Sequence, residues 1–285
     1  MAKLISLVIG LNKVNKLSYD GFWDGSLPCC EKDADDICSI LKALSYNKIN
    51  LLKTMKATRQ NVLKGLKSAA KELKKGDLFT IYYSGHGGQV PDINGDEADA
   101  SDETWCLYDG QLIDDELYYE FSNFKEGVRI FVLSDSCHSG TMTKVAMMNA
   151  SAPGLKSKDK IYKMMPDEVI GKAYYRKRAL YDKIQNNDLL KISNPGNKDF
   201  AFNIRSSVKL ISGCQDNQYS EAGLFNSLFT AILKKIWKNG SFKGNYKLFH
   251  KKICELMPPD QTPNLYFIGP KDKDFDLQRP FIPSK

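Results

Sequence analysis

Three largely apolar runs constrain this chain most: Leu4 to Ile9, Leu78 to Tyr83 and Val128 to Leu133. Each is too short to span a membrane and is bounded by charged or small residues, the pattern of a strand buried on both faces. Helical spacing separates them. Ile37, Ile40, Leu41 and Leu44 recur on one face of Asp33 to Leu44. After a capping Thr58, so do Val62, Leu63, Leu66, Ala69, Ala70 and Leu73, up to a terminating Gly76. Further strands are predicted at Ile49 to Leu52, Val208 to Ser212 and Asn264 to Ile268, with the third run continuing as Arg129 to Ser134. Helices are predicted at Asp114 to Phe121, at Tyr246 to Met257, and over a face formed by Leu224, Phe225, Leu228, Phe229, Ile232 and Ile236. Strand alternating with helix implies an α/β fold: a mostly parallel sheet of six or more strands, flanked by helices on both faces. Residues 89 to 115 read as a long acidic loop. The chain reads as one domain over 1–285, broken only by a polar, basic insertion at about 144–205, weakly helical from Pro166 to Leu190.

Composition narrows the function classes. The 285 residues are 42% hydrophobic and 26% charged, ordinary for a globular protein. No apolar run reaches membrane length, and Leu4 to Ile9 is too short for a signal peptide core, so a cytoplasmic protein without membrane association is expected. The seven cysteines have no zinc-site spacing, and Cys29-Cys30 is adjacent, not a Cys-x-x-Cys pair. Reduced thiols are therefore expected. The net charge of +7 is local. Residues 144 to 198 hold 12 basic and 5 acidic residues, whereas 76 to 124 hold 12 acidic residues and no Lys or Arg. One segment supplies the whole excess without interleaved aromatics, so nucleic acid is not an expected partner.

Chemistry concentrates where two of the apolar runs end. His86 lies in Ser84-Gly85-His86-Gly87-Gly88, and Cys137 lies in Asp135-Ser136-Cys137-His138-Ser139-Gly140. Open α/β sheets bind ligands at the carboxyl ends of their strands. A thiol needs a base nearby to react at neutral pH, and only three histidines are present. These residues suit a cysteine peptidase, with Cys137 as nucleophile and His86 as base and then acid. The lone-residue alternatives are a core cysteine and a structural histidine.

These blocks resemble those of the metacaspases, including their prokaryotic relatives, within the caspase-hemoglobinase fold. Ser84 to Gln89, with Gly95-Asp96-Glu97 and Asp102-Glu103, resembles the histidine block, and Asp135 to Gly140 the nucleophile block. Leu27-Pro28-Cys29-Cys30-Glu31-Lys32-Asp33-Ala34 is similar to an early Gly-Cys-x-x-Asp-Ala segment, with Cys29 replacing the glycine. With Ile113 to Leu117, the likeness covers residues 4 to 138 well and returns weakly at 208 to 268. The separation of 51 positions from His86 to Cys137 matches the caspase spacing of about fifty. The caspase Gln-Ala-Cys signature is absent.

The resemblance implies specific roles. Backbone N–H groups of Gly87 and Cys137 would hold the oxyanion. Asp33, Ser84 and Asp135 would line a pocket for a substrate Arg or Lys, although Asp33 also suits a helix N-terminus. His138 is expected to orient the loop. Asp102, Asp114 and Asp115 match positions where some metacaspases bind calcium, whereas Lys144 stands where a further aspartate is expected and opposes such a site. No cofactor is required for the chemistry, with Ca2+ as an activator at most. The implied partners are proteins or peptides with a basic P1 residue, and a monomer is expected over a dimer. The competing readings are a caspase-fold regulatory or scaffold protein without turnover, and a relative with acyl-transfer or ligase chemistry. The charge map adds one expectation. The basic insertion should be drawn toward the acidic 76 to 124 stretch and could lie across the cleft as an internal inhibitor cut by the enzyme itself, the zymogen case. Its rival is a solvated surface excursion.

Overall fold

The computed structural model describes residues 2–92, 101–136, 161–187, 203–213, 221–223 and 225–283. Its centre is a six-stranded sheet built from β1 (Leu4–Gly10), β2 (Lys48–Lys53), β3 (Leu78–Ser84), β7 (Arg129–Asp135), β9 (Ser207–Ser212) and β11 (Asn264–Ile268). The spatial order is β11-β9-β7-β3-β1-β2, parallel throughout except for the antiparallel β11 at one edge. The reason the apolar runs do not alternate is visible in the packing. Ile5, Leu7 and Ile9 of β1, with Phe79, Ile81 and Tyr83 of β3, face α2 (Arg59–Glu72) and α3 (Asp114–Ser122). Leu4 and Val8, with Leu78 and Tyr82, face α1 (Cys30–Ala43), α6 (Leu228–Trp237) and α7 (Tyr246–Cys254). Successive side chains point to opposite faces, and both faces are covered.

Register places the site. Gly10, Ser84 and Asp135 are paired across the carboxyl ends of β1, β3 and β7. From β1 the chain runs outward to β2 and then returns to β3 on the other side, so this end of the sheet is its topological switch point. A Cβ on Gly10 would lie 2.4 Å from the Cys30 carbonyl oxygen. The glycine therefore lets the start of α1 reach the strand ends, and Asp33 with it.

Three expectations need correction. The segment from 89 to 115 is not a loop over its described residues: β4 (Gly87–Pro91), β5 (Ser101–Leu107) and β6 (Gly110–Ile113) form an antiparallel sheet. Its acidic residues hid it, because Asp102 is buried within β5 rather than solvated. The late amphipathic helix begins at Leu228, capped by Ser227, so Phe225 precedes it and is 81% exposed; Leu224 lies outside the described residues. The insertion is not merely a surface excursion over 161–187. There β8 (Ile161–Tyr162) pairs with β10 (Glu221–Ala222), followed by α4 (Asp167–Arg176) and α5 (Arg178–Gln185). Lys163, Met165, Ala173 and Tyr181 of this strap are fully buried. The C-terminal stretch adds a short α8 (Lys273–Leu277) that packs Phe275 into the core.

Candidate active site

His86 follows β3 on a tight turn. The Tyr83 hydroxyl donates to the His86 carbonyl (2.6 Å), which also accepts from the Cys106 N–H (2.9 Å). Its ring meets the edge of Trp23 at a centroid distance of 5.0 Å. Nε2 lies 3.2 Å from the Gly25 carbonyl oxygen. A carbonyl only accepts, so Nε2 carries the proton and Nδ1 is the basic nitrogen. Nδ1 is buried on the side of the ring away from Gly25, and the Met164 backbone lies beside the ring. Burial is the largest influence on the ring and lowers its pKa to about 4, against a smaller opposite pull from the Met164 and Gly25 backbones. At neutral pH the ring is uncharged and able to take a proton.

The strands and α1 bring Asp33, Ser84 and Asp135 to one place. Ser84 Oγ donates to Asp33 Oδ2 (2.9 Å). Asp33 Oδ1 accepts from the Asn226 amide (2.8 Å) and the Ser227 N–H (3.0 Å). Asp135 accepts from Ser227 Oγ and from Thr230 Oγ1 (3.0 Å). All three predicted pocket residues have no solvent exposure. Asp33 is thus held as part of this site, although it also sits in the first turn of a helix.

The pocket contains a lysine of the chain itself. Lys163 Nζ lies 2.9 Å from Asp135 Oδ2, 2.8 Å from Ser84 Oγ and 3.4 Å from Asp33 Oδ2. Burial alone would drive off its proton, but Asp135, Cys30 and Asp33 overcome that and hold the pKa well above the ordinary lysine value. Two buried carboxylates would otherwise face each other without a cation, a costly arrangement. The backbone follows the same pattern. The Gly87 N–H, the predicted oxyanion donor, donates to the Lys163 carbonyl (3.0 Å), and the Met165 N–H donates to the Gly87 carbonyl (2.8 Å). Met164 forms a parallel bridge with Gly87. Met165 Cε fills the space where a Cβ on Gly88 would stand, 2.5 Å away.

Comparison with known proteins agrees with this geometry. Residues 6–146 match the model of the metacaspase, peptidase C14 domain. The chain is metacaspase-like, with the caspase-hemoglobinase fold. It is 31% identical over 170 residues to metacaspase-1 of Schizosaccharomyces pombe, covering 55% of this chain and 40% of that protein. With metacaspase-1A of Aspergillus oryzae it shares 43% identity over 76 residues, 25% of this chain and 18% of that one. The chain thus spans well under half the length of these curated relatives. The crystal structure of protein GSU0716 from Geobacter sulfurreducens is similar over nearly everything: 46% identity, TM-score 0.86, and 99% and 100% of the two chains. Caspase-1 of Spodoptera frugiperda shares the fold at 10% identity, with TM-score 0.51 over 94% of this chain and 86% of that one.

Cys137 and His138 of this metacaspase-like chain lie outside the described residues, as does Lys144. What leads up to the thiol is well anchored. Trp105 Nε1 donates to Ser134 Oγ (3.0 Å), which shares a hydrogen bond with Ser136 Oγ (3.0 Å). Asp102, Asp114 and Asp115 do come together, each offering an oxygen within 4.8 Å of the others. Three clustered carboxylates fit a hard cation such as calcium, so these residues would hold it. Gln185 of the strap donates to Asp102 Oδ2 (2.8 Å) at the same place.

Sequence reasoning missed several contributors. Lys163 was one basic residue among 12 in its segment, and nothing in its neighbours marked it. Ser227 and Thr230 carried a usable signal: a cap residue directly before an apolar helical face. Trp23 and Gly25 carried none, because their approach to His86 depends on the path of the loop from 11 to 29.

Proposed function

We propose that the chain is a cysteine endopeptidase that hydrolyses peptide bonds after Lys or Arg, using Cys137 and His86. The observation that carries this reading is Lys163. Its side chain is seated among Asp33, Ser84 and Asp135 while its carbonyl takes the Gly87 N–H, as a P1 residue would. His86 Nδ1 takes the thiol proton, and the thiolate attacks the P1 carbonyl carbon. The oxyanion gathers charge against the Gly87 and Cys137 N–H groups. His86 then protonates the leaving amine, and water releases the acyl group from Cys137. Calcium at Asp102, Asp114 and Asp115 would supply positive charge that lets three carboxylates stand together, and takes no part in bond breaking. A scaffold without turnover is not favoured, because it has no use for a lysine held in a substrate-like pose.

The reading makes Lys163–Met164 the first bond to be cut, and the strap an internal inhibitor until then. Purified wild type should convert to two fragments that divide between Lys163 and Met164 by intact mass, while Cys137→Ala stays whole. A wild-type chain that hydrolyses lysyl peptides yet stays uncut at 163, with Lys163→Ala no more active, contradicts the self-inhibition.

The lowered His86 pKa sets a pH dependence. The folded ring binds its proton near pH 4 and the unfolded ring near 6.5, so the unfolded state binds more protons between these values. The stability tied to the neutral ring is present above pH 6.5 and is lost as pH falls through 4, at a cost of about 3 kcal/mol. Urea midpoints for wild type and His86→Ala should therefore diverge less at pH 4 than at pH 7.5. A constant difference across that range would contradict a buried neutral imidazole.

A further inference from the structure

The early segment of this chain departs from the family pattern at Cys29, where a glycine is replaced by a second thiol, and the peptidase reading makes no use of it. Cys29 caps the N-terminus of α1, Cys30 opens the helix, and Asp33 stands one turn on. Cys30 and Asp33, three residues apart, share one side of the first turn, and Cys29 adjoins them from the cap position. Cys29 Sγ, Cys30 Sγ and an Asp33 carboxylate oxygen all lie within 4.8 Å of one another, and all three residues are fully buried. A cation already touches this group, since the Lys163 ammonium stands 3.4 Å from Asp33 Oδ2.

We propose that, once Lys163 leaves the pocket, Cys29, Cys30 and Asp33 bind one thiophilic divalent metal ion of the zinc class, which then blocks the basic-residue pocket. Two sulfurs and a carboxylate are a zinc donor set that leaves a fourth position open toward the pocket. Binding releases the two thiol protons and fills with positive charge the place a substrate ammonium would take. The metal and the Lys163 side chain compete for Asp33, so the intact strap excludes the ion. The site thus separates the cut enzyme from the uncut one: only an emptied pocket is open to metal inhibition. The blocking half rests on the peptidase reading; the binding half does not.

Binding can be read without turnover in a Cys137→Ala, Lys163→Ala chain titrated with cobalt(II). One equivalent should bind with a thiolate-to-cobalt absorption band that zinc abolishes. Cys29→Ser or Cys30→Ser should each remove the band, and His86→Ala should leave it. With Lys163 in place the band should be absent. Cobalt binding without a thiolate band, a band indifferent to both serine substitutions, or an equal band with Lys163 present would overturn the site. For the blocking half, zinc should raise KM for a lysyl peptide at least tenfold in the active Lys163→Ala chain and much less when Cys29→Ser is added. An equal rise in both chains would overturn the block while leaving the peptidase reading intact.

Discussion

Cys137→Ala and His86→Ala are each expected to lower peptide hydrolysis at least about a thousandfold, and the double variant to be little worse than either. A neutral thiol attacks carbonyls poorly, and in the proposed mechanism the neutral His86 ring, with Nε2 turned to the Gly25 carbonyl, is the base that would make it a thiolate. Removing either partner stops the same step, so the losses do not add. Steady-state rates on one lysyl peptide, with folding checked by thermal melting, decide it. Independent, additive losses would show that the two residues do not act as a unit.

A second large effect is expected at the pocket. Asp135→Asn removes a carboxylate that lies 2.9 Å from the seated ammonium and has no solvent exposure. Losing one partner of such a buried charge pair costs roughly 2–5 kcal/mol in binding. The loss should appear in kcat/KM for lysyl and arginyl substrates, measured in a Lys163→Ala background so that the strap does not obscure it. Hydrolysis of an alanyl substrate, slow in both chains, should change little. A uniform loss on all substrates would instead assign Asp135 to holding the nucleophile loop.

The sheet was legible because its strands are covered on both faces, which left largely apolar runs in the sequence. The β4–β6 sheet was not. Asp102 and Thr104 of β5 are buried polar residues, and their acidic surroundings imitate a solvated loop. Phe225 misled in the opposite direction, since an exposed aromatic completed a helical stripe that the helix itself does not contain. Within the site, Asp33, Ser84 and Asp135 could be named from motifs because strand register and the α1 turn bring motif residues together directly. Lys163 could not, because its partners are scattered along the chain, with Ser84 and Asp33 lying 79 and 130 residues away. The charge map indicated only that its segment and the acidic stretch attract one another. Which lysine enters the pocket depends on how β8 and α4 seat the strap against β4.

The proposed function requires that this pocket select a basic P1 residue for hydrolysis. The most direct test is to measure kcat/KM of the Lys163→Ala chain on four peptides that differ only in carrying Lys, Arg, Ala or Asp at P1. Rapid hydrolysis of the Lys and Arg peptides, slow hydrolysis of the Ala peptide and none of the Asp peptide is the predicted result. Equal rates across the series, or preferred cleavage after Asp, would contradict it.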